Sequence, residues 1–562
     1  MNAARIEPLG DHGWCAVLGE RIDAALNARV HALAARLRER APAGVEDIVP
    51  AYASLAVCFD PERADADAVR AAIADALAAT AGGGTPASPA ADAREIEIPV
   101  VYGGEAGPDL ADAAAALGLT PETLAARHAA GTYTVAMLGF APGFPYLIGL
   151  DPALALPRLP TPRTRVPAGS VAIGGAQTGL YPRESPGGWR LIGRTPLRVF
   201  DPARAPPALL APGDRVRFRA VAPDAVARDD GVPARAVPAT ARAMRVLRPG
   251  PLTTVQDAGR IGWRHLGVGR AGALDPDAAA LANALVGNPP DAAVLELTLQ
   301  GPTLALDVPV RVALCGAAVE ARFEDAHGRT AHVPGGRPVA LPAGILRLGA
   351  LRGGARAWMA IAGGIDVPPV LGSRSTDLRG GFGGVAGRAL RSGDVLPLGE
   401  SRAPAADAPH APAWWIDPCD DDEDAPVRFV SARTGDAAAL AARAWRVDPR
   451  SDRQGVRLAG EALPAAAHDG VSAPVVPGTI QLPPDGRPIL LLADAQTTGG
   501  YPVLGHVIAA DLPRLAQLRP GDALALLPVD AGTAAAAWRE RRARRARLAV
   551  AIAMRLERDA HP

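Results

Sequence analysis

Two short segments, Gln177-Thr178 and Gln496-Thr497-Thr498, set amide and hydroxyl side chains next to one another. They are neutral donors and acceptors, suited to an amide or carboxylate ligand whose charge changes little on binding; amides that only bond strand ends are the alternative. Each segment leads to a tyrosine before a proline, Tyr181 and Tyr501, a phenol that either donates to a developing oxyanion or packs. Asp257 and Asp377 are the carboxylates suited to act as a base or a magnesium ligand, although capping a turn is the commoner use of Asp. His128 falls in the last turn of a helix expected from Thr120, where the helix dipole favours its charged form. It either caps that helix or serves as a general acid near the loop at Phe140.

That loop, from Gly139 to Leu150, holds three aromatics, two prolines and three glycines in twelve positions. Glycines permit positive φ, prolines set turns, and the aromatics are able to wall a pocket or pack a structural loop.

The chain of 562 residues contains no lysine, so all 59 of its basic residues are arginine, balanced by 59 acidic ones. A GC-rich genome explains the bias, but the chemical consequence is independent of the cause. No Walker lysine, no Schiff-base lysine and no biotin-accepting lysine exists here. Phosphate must be met by arginine forks, backbone amides, hydroxyls or a metal. Balanced charge implies no nucleic-acid partner. Cys15, Cys58, Cys315 and Cys419 are scattered without a CxxC pair, which suggests neither zinc nor a disulfide framework. With no signal-peptide pattern and no apolar run of roughly 18 residues, neither secretion nor membrane insertion is expected, and the chain is assigned to the cytoplasm.

The elements that must position these groups follow from periodicity and punctuation. Residues 1–82 read as a small α+β module, with helical runs at Ile22 to Arg40 and Ala64 to Ala79 around a strand at Ala51 to Phe59. A Gly/Pro-rich linker is expected at 83–94. Residues 95–220 read as short strands of a barrel or sandwich, interrupted by one helix with Thr120 as N-cap, Pro121 in its first turn and Gly131 as its stop. After a second linker, 221–243, β-rich parts are expected at 244–400 and 425–530, separated by a loop at 401–424. Asp275, Pro276 and Gly287 mark a helix in the first of these parts. Residues 531–562 read as a basic helix, solvated rather than docked.

An internal repeat is visible. Val166-Pro-Ala-Gly-Ser leads to Gln177-Thr178 and Tyr181-Pro182; Val476-Pro-Gly-Thr leads to Gln496-Thr497 and Tyr501-Pro502. Both are followed by Gly-Asp, at Gly213-Asp214 and Gly521-Asp522. Two related β domains are therefore expected, and packing about a pseudo-two-fold would turn equivalent polar loops toward one cleft.

The Phe140 loop, Arg165 to Pro182 and Ser185 to Pro196 resemble the B-type subunit of the prokaryotic ATP-dependent 5-oxoprolinase, also described as sporulation-kinase inhibitor-like. Pro251 to Arg260, Leu281 to Asn288, Leu371 to Asp377, Ser451 to Leu458 and Gln496 to Pro502 resemble its C-type subunit. The resemblance, in order along nearly the whole chain, implies a natural fusion of the two. It implies a mainly β protein with α+β parts: two cyclophilin-like β-barrel halves, akin to the carboxyltransferase region of urea carboxylase, plus the small N-terminal module. The implied reaction opens 5-oxo-L-proline to L-glutamate with ATP cleavage, with ATP and Mg2+ entering as substrate and a separate A-type 5-oxoprolinase protein as partner. No covalent biotin is expected on this chain, and a homo-oligomer is left open. Membership of these motifs singles out Arg165, Arg374 and Arg453, whose planar forks match phosphate or carboxylate, over the surface or ion-pair use usual for arginine. The candidates for proton handling are thus His128, Asp257, Asp377, Tyr181 and Tyr501. Those for holding substrate or ATP are Phe140, Gly143, Tyr146, Arg165, Ser170, Gln177, Thr178, Arg374, Arg453, Gln496, Thr497 and Thr498. Two other readings stand beside this one: carboxyl transfer to urea or a related amide with carboxybiotin supplied in trans, and a non-enzymatic regulator of a histidine kinase.

Overall fold

The computed structural model describes residues 4–81, 94–223, 242–401, 407–417, 425–432, 434–464 and 470–560. Most of both expected linkers, parts of the 401–424 loop and Cys419 lie outside the described residues. Cys15, Cys58 and Cys315 are buried free thiols. Among the described residues no helix is long and apolar enough to cross a membrane.

Helices Ala24–Glu39 and Ala66–Ala81 cover a four-stranded antiparallel sheet in the N-terminal module. The strand expected at Ala51 to Phe59 begins at Ser54, because Val45–Pro50 forms its own strand and pairs back on it. The next unit is a closed barrel of seven strands, in chain order Glu95–Tyr102, Thr132–Leu138, Pro145–Ile148, Ser170–Ile173, Thr178–Leu180, Arg190–Arg194 and Arg215–Ala220. Its first and last strands pair in parallel. Helix Pro121–Ala130 starts where expected: the Thr120 hydroxyl accepts from Thr123 N–H at 3.2 Å. A second helix, Leu110–Ala116, was not expected.

A nine-stranded sheet follows, with the long strands Val310–Asp325 and Gly344–Ile361 at its centre. Helix Pro276–Val286, capped by Asp275 and closed by Gly287 at φ 82°, packs on it. The last unit repeats the first barrel strand for strand. Val427–Ser431, Trp445–Val447, Gly455–Ala459, Thr479–Gln481, Ile489–Leu491 and Val503–Val507 pair in the same order as their counterparts. Ala523–Leu524 and Leu526–Pro528 end the sheet on its two sides, so only Ala525 separates its edges, and Val427 to Leu526 is again the parallel pair.

The repeat holds at two of its three marks. Gly169 and Gly478, at φ 79° and 91°, each donate a 2.7 Å bond to the strand that follows, at Tyr181 and Leu491. Gly213 and Gly521 donate to Val135 and Val447. The Gln-Thr pairs, however, are not counterparts. Thr178 opens a barrel strand, whereas Thr498–Gly499 pairs with Ala473–Pro474 just as Ser185–Gly187 pairs with Arg163–Val166. The register therefore matches Gln496 to Glu184 and Tyr501 to Trp189, with Gly193 and Gly505 at equivalent ladder positions. The two Gln-Thr strings are thus similar by sequence but sit a strand apart in the repeat.

The C-terminal helix, Ala531–Ala560, corrects the expectation of a solvated face. Arg541 and Arg545 point inward to Asp277 at 2.6 and 2.9 Å, and Arg545 also bonds Glu62 of the N-terminal module. Trp538 meets His12 edge to face at 4.9 Å.

Candidate functional site

The Phe140 loop of the first barrel packs on its own half through its aromatic rings and also reaches across to the other half. Leu138 bridges to Leu266, Gly143 N–H donates to the Leu266 carbonyl at 2.8 Å, and Gly139 lies so close to Thr498 that a Cβ would stand 2.1 Å from its hydroxyl. Phe140 itself sits at φ 63°, a left-handed conformation that costs a non-glycine residue about 1–3 kcal/mol. Its ring is thereby turned into a narrow cleft at the junction of the two halves. Pro142 shares that wall; Asp377 and Arg379 form a second; Asp494, Ala495 and Gln496 of the second barrel form a third, over the backbone of Gly267, Gly269 and Ala271.

Asp377 is 5% exposed and held by a turn: its Oδ1 accepts from Gly380 N–H at 2.5 Å. The Arg379 guanidinium lies 4.9 Å over the Phe140 ring, a cation–π contact across the cleft. Asp494 is gripped by Arg453, whose Nε and Nη2 reach its two oxygens at 2.9 and 3.0 Å. Arg453 also bonds Glu296 and the Gly272 carbonyl, and Glu296 accepts from Trp358 Nε1 at 3.1 Å. Burial pushes the Asp494 carboxyl up to about 6, against the opposing pull of Arg453. The Gln496 amide donates to Gln481 at 3.3 Å.

Behind Phe140 runs an aromatic wall. Phe144 meets Phe140, Tyr146 and Tyr181 with ring centroids 5.4, 4.9 and 5.2 Å apart, and Tyr146 meets Tyr52 at 5.8 Å. Tyr52 in turn donates to the Gln177 side chain. Burial raises the Tyr146 and Tyr181 phenols to about 12, so both stay protonated near neutrality. The Phe140 loop and Gln496 thus line one cleft, and Gln177 meets the same wall from behind.

The other candidates are placed elsewhere. His128 is enclosed in the first barrel, stacked 4.7 Å from Phe218. Its Nε2 donates to Thr178 Oγ1 at 2.9 Å, because that hydroxyl spends its own proton on the Ala172 carbonyl; Nδ1 then accepts from Tyr102 Oη at 2.8 Å. Burial lowers it to about 3, so the ring is uncharged near neutrality, and it is its backbone carbonyl that closes the helix, accepting from Gly131 N–H and Tyr133 Oη. Asp257 organises a turn, accepting from Ser373 and Ser375 hydroxyls at 2.6 and 2.5 Å and from Gly259 and Arg374 N–H groups. Ser170 bonds the Pro167 carbonyl at 2.8 Å. Arg165, 75% exposed, pairs with Glu184, and Arg374 pairs with Asp366 at 2.8 Å. Thr497 and Thr498 are buried, while Tyr501 is 47% exposed. Arg453 touches the cleft only through Asp494. Arg379 and Asp494 were missed: among 59 arginines nothing local marks the one whose neighbours leave it unpaired. Among the described residues no three His, Cys, Asp or Glu side chains converge as a metal set.

Residues 4–210 match the carboxyltransferase domain, subdomains C and D, and residues 266–528 match subdomains A and B. The chain is 43% identical to the B-type subunit of 5-oxoprolinase from Bacillus subtilis over 224 residues, covering 38% of this chain and 91% of that protein. It is 39% identical to the C-type subunit of 5-oxoprolinase from Escherichia coli over 291 residues, covering 50% of this chain and 88% of that protein. The crystal structure of TTHA0988 superposes with a TM-score of 0.78 at 38% identity, over 92% of this chain and 100% of that one. With both halves matched in this way, the chain belongs to the carboxyltransferase-domain family of 5-oxoprolinase subunits, its first half B-like and its second half C-like.

Proposed function

We propose that this chain is the joined B and C component of an ATP-dependent 5-oxoprolinase, opening 5-oxo-L-proline to L-glutamate in concert with a separate A-type 5-oxoprolinase protein. The observation that carries this reading is the cleft: Phe140 comes from the B-like half and Asp377, Arg379 and Gln496 from the C-like half, so neither half holds it alone. A lactam amide is resonance-stabilised and resists water. Phosphorylation of its oxygen by ATP, with loss of the N–H proton and release of ADP, makes the ring carbon electrophilic. Water adds there, and the carbon–nitrogen bond breaks as the nitrogen is protonated to give γ-glutamyl phosphate. A second water hydrolyses that to L-glutamate and phosphate. The Gln496 amide offers both a donor and an acceptor to a lactam, Arg379 supplies fixed positive charge for a phosphoryl group, and Asp377 is the carboxylate placed to take a proton. Magnesium enters with the nucleotide as part of the substrate.

ADP release from a mixture of this chain and an A-type 5-oxoprolinase protein tests the reading. Release that requires both proteins and 5-oxo-L-proline supports it. Transfer of labelled carboxyl from a biotin carrier to urea, without such release, replaces it with carboxyl transfer.

A further inference from the structure

Three arginines crowd Asp377, and they come from both halves. Arg379 faces the cleft over Phe140. Arg183, from the B-like half, lies against the turn that follows Asp377: a Cβ on Gly381 would stand 3.1 Å from its Nη2. Arg260 lies beneath, 4.9 Å over Phe382, with Nε on the Val370 carbonyl and Nη2 on the Ser375 carbonyl. Of the nearby carboxylates, Asp494 and Glu296 are clamped by Arg453 and Glu184 pairs with Arg165, while Asp257 acts on Arg260 alone and is bonded by hydroxyl and N–H groups. Asp377 alone faces all three guanidinium groups.

Arg183 and Arg379 make no hydrogen bond or ion pair with any described residue, and Nη1 of Arg183 and of Arg260 are buried without partners. A guanidinium carries five donors in a planar fork, and leaving such a group half-buried and unpaired is unfavourable. The Arg379 fork in the cleft wall is held only against the Phe140 ring, and the Arg183 fork lies against the turn after Asp377, neither hydrogen-bonded to a described residue. The two are therefore arranged for a ligand that brings its own negative charge. We infer that Arg183 and Arg379, one from each half, form a binding site for a carboxylate or phosphoryl oxyanion beside Asp377. The inference deepens the reading of the cleft and rests on it for the two ligands considered, the carboxylate of 5-oxo-L-proline and the phosphates of the nucleotide. Because the forks belong to different halves, the bound anion also fastens the B-like half to the C-like half at the place where Phe140 is displayed.

The test is calorimetric binding to the full chain of three separate probes: inorganic phosphate, 5-oxo-L-proline, and its carboxamide, which lacks the negative charge. Arg183→Gln and Arg379→Gln are compared with wild type and with Arg165→Gln, a surface control. Loss of one charge-assisted contact is expected to weaken binding about ten- to a hundred-fold in both cleft variants and not in the control. Selective loss for 5-oxo-L-proline, with the carboxamide indifferent throughout, assigns the site to the carboxylate; selective loss for phosphate assigns it to the phosphoryl group. Undiminished binding of both anions in the two cleft variants, or no anion binding by the wild type, overturns the site. Should Arg183→Gln fail to fold, as read by its melting curve, Arg379→Gln and Arg379→Lys decide alone, Lys restoring charge without the fork. Arginine-dependent anion binding without 5-oxo-L-proline-dependent ADP release would retain the site and reject the oxoprolinase reading.

Discussion

At the residue level, the arginines divide by what surrounds them. Arg453 looked like a phosphate fork because it sits in a family motif, yet it is 2% exposed and clamps two acidic side chains. Arg453→Lys cannot keep both, so it is expected to lose about 3–5 kcal/mol of stability in urea unfolding, with activity falling in parallel. Arg165→Lys and Arg374→Lys, on the surface, should stay within about 0.5 kcal/mol of wild type and turn over normally. A selective loss of turnover in either would contradict this division. Residue type and motif were legible in the sequence; which arginine lacks a partner is a property of the packed junction and was not. The buried ionisable groups make a second prediction. His128, lowered to about 3, must unfold to charge, so its contribution to stability is full above its ordinary value near 6.5 and is lost as pH falls toward 3. Asp494 has the opposite sign. Raised to about 6, it favours the protonated fold, and that contribution is lost as pH rises from about 4 through 6. His128→Gln should therefore flatten the acid loss of stability between pH 6 and 4, by up to about 1.4 kcal/mol per pH unit. Urea midpoints at three pH values check it, and an unchanged slope argues that His128 is charged in the fold.

Among the elements, those with a complete local signal were the ones the sequence revealed. Thr120 with Pro121, and Asp275 with Pro276 and Gly287, carry cap, first turn and stop, and the helices lie there. Helix Leu110–Ala116 has Asp109 before it and Gly118 after it but is only seven residues long, and Asp109 gives its carboxylate to Leu191 N–H and Arg163 instead of capping the helix. The Gln-Thr strings show the converse: identity over a few residues does not fix which strand they occupy, whereas the ladder does. The Phe140 loop was recognisable as a special turn, but its docking on Thr498 was not, since the contact spans the two halves. That contact predicts the effect of Gly139→Ala. The added methyl would overlap the Thr498 hydroxyl and push the loop off the second barrel. A loss of about 1–3 kcal/mol in thermal unfolding is expected, together with a drop in turnover as Phe140 leaves the cleft. Normal stability and turnover in this variant would show that the loop moves freely.

Across the whole molecule, the two halves are fastened by the Phe140 loop, the N-terminal module, the C-terminal helix and the contact of Phe200 with Phe382. Arg264 N–H meets Asp47 at 3.0 Å, Arg270 pairs with Glu46 at 3.2 Å, and Arg545 joins Asp277 to Glu62. Reversing Arg541 and Arg545 to Glu together should split one calorimetric transition into two, as the module separates from the C-like half; a single unshifted transition would deny the helix this role. Family membership was readable from motifs in order along the chain, because each motif is local. The cleft was not, because its walls come from residues as distant in sequence as Phe140 and Gln496. The central claim, that lactam opening is driven by ATP in that cleft, meets its most direct test in the initial rate of ADP release with the A-type partner protein, with and without 5-oxo-L-proline, for wild type and Asp377→Asn. The account predicts release dependent on 5-oxo-L-proline in the wild type, and a fall of about a hundred-fold or more in a folded Asp377→Asn protein. Release indifferent to 5-oxo-L-proline, or undiminished in Asp377→Asn, would contradict it.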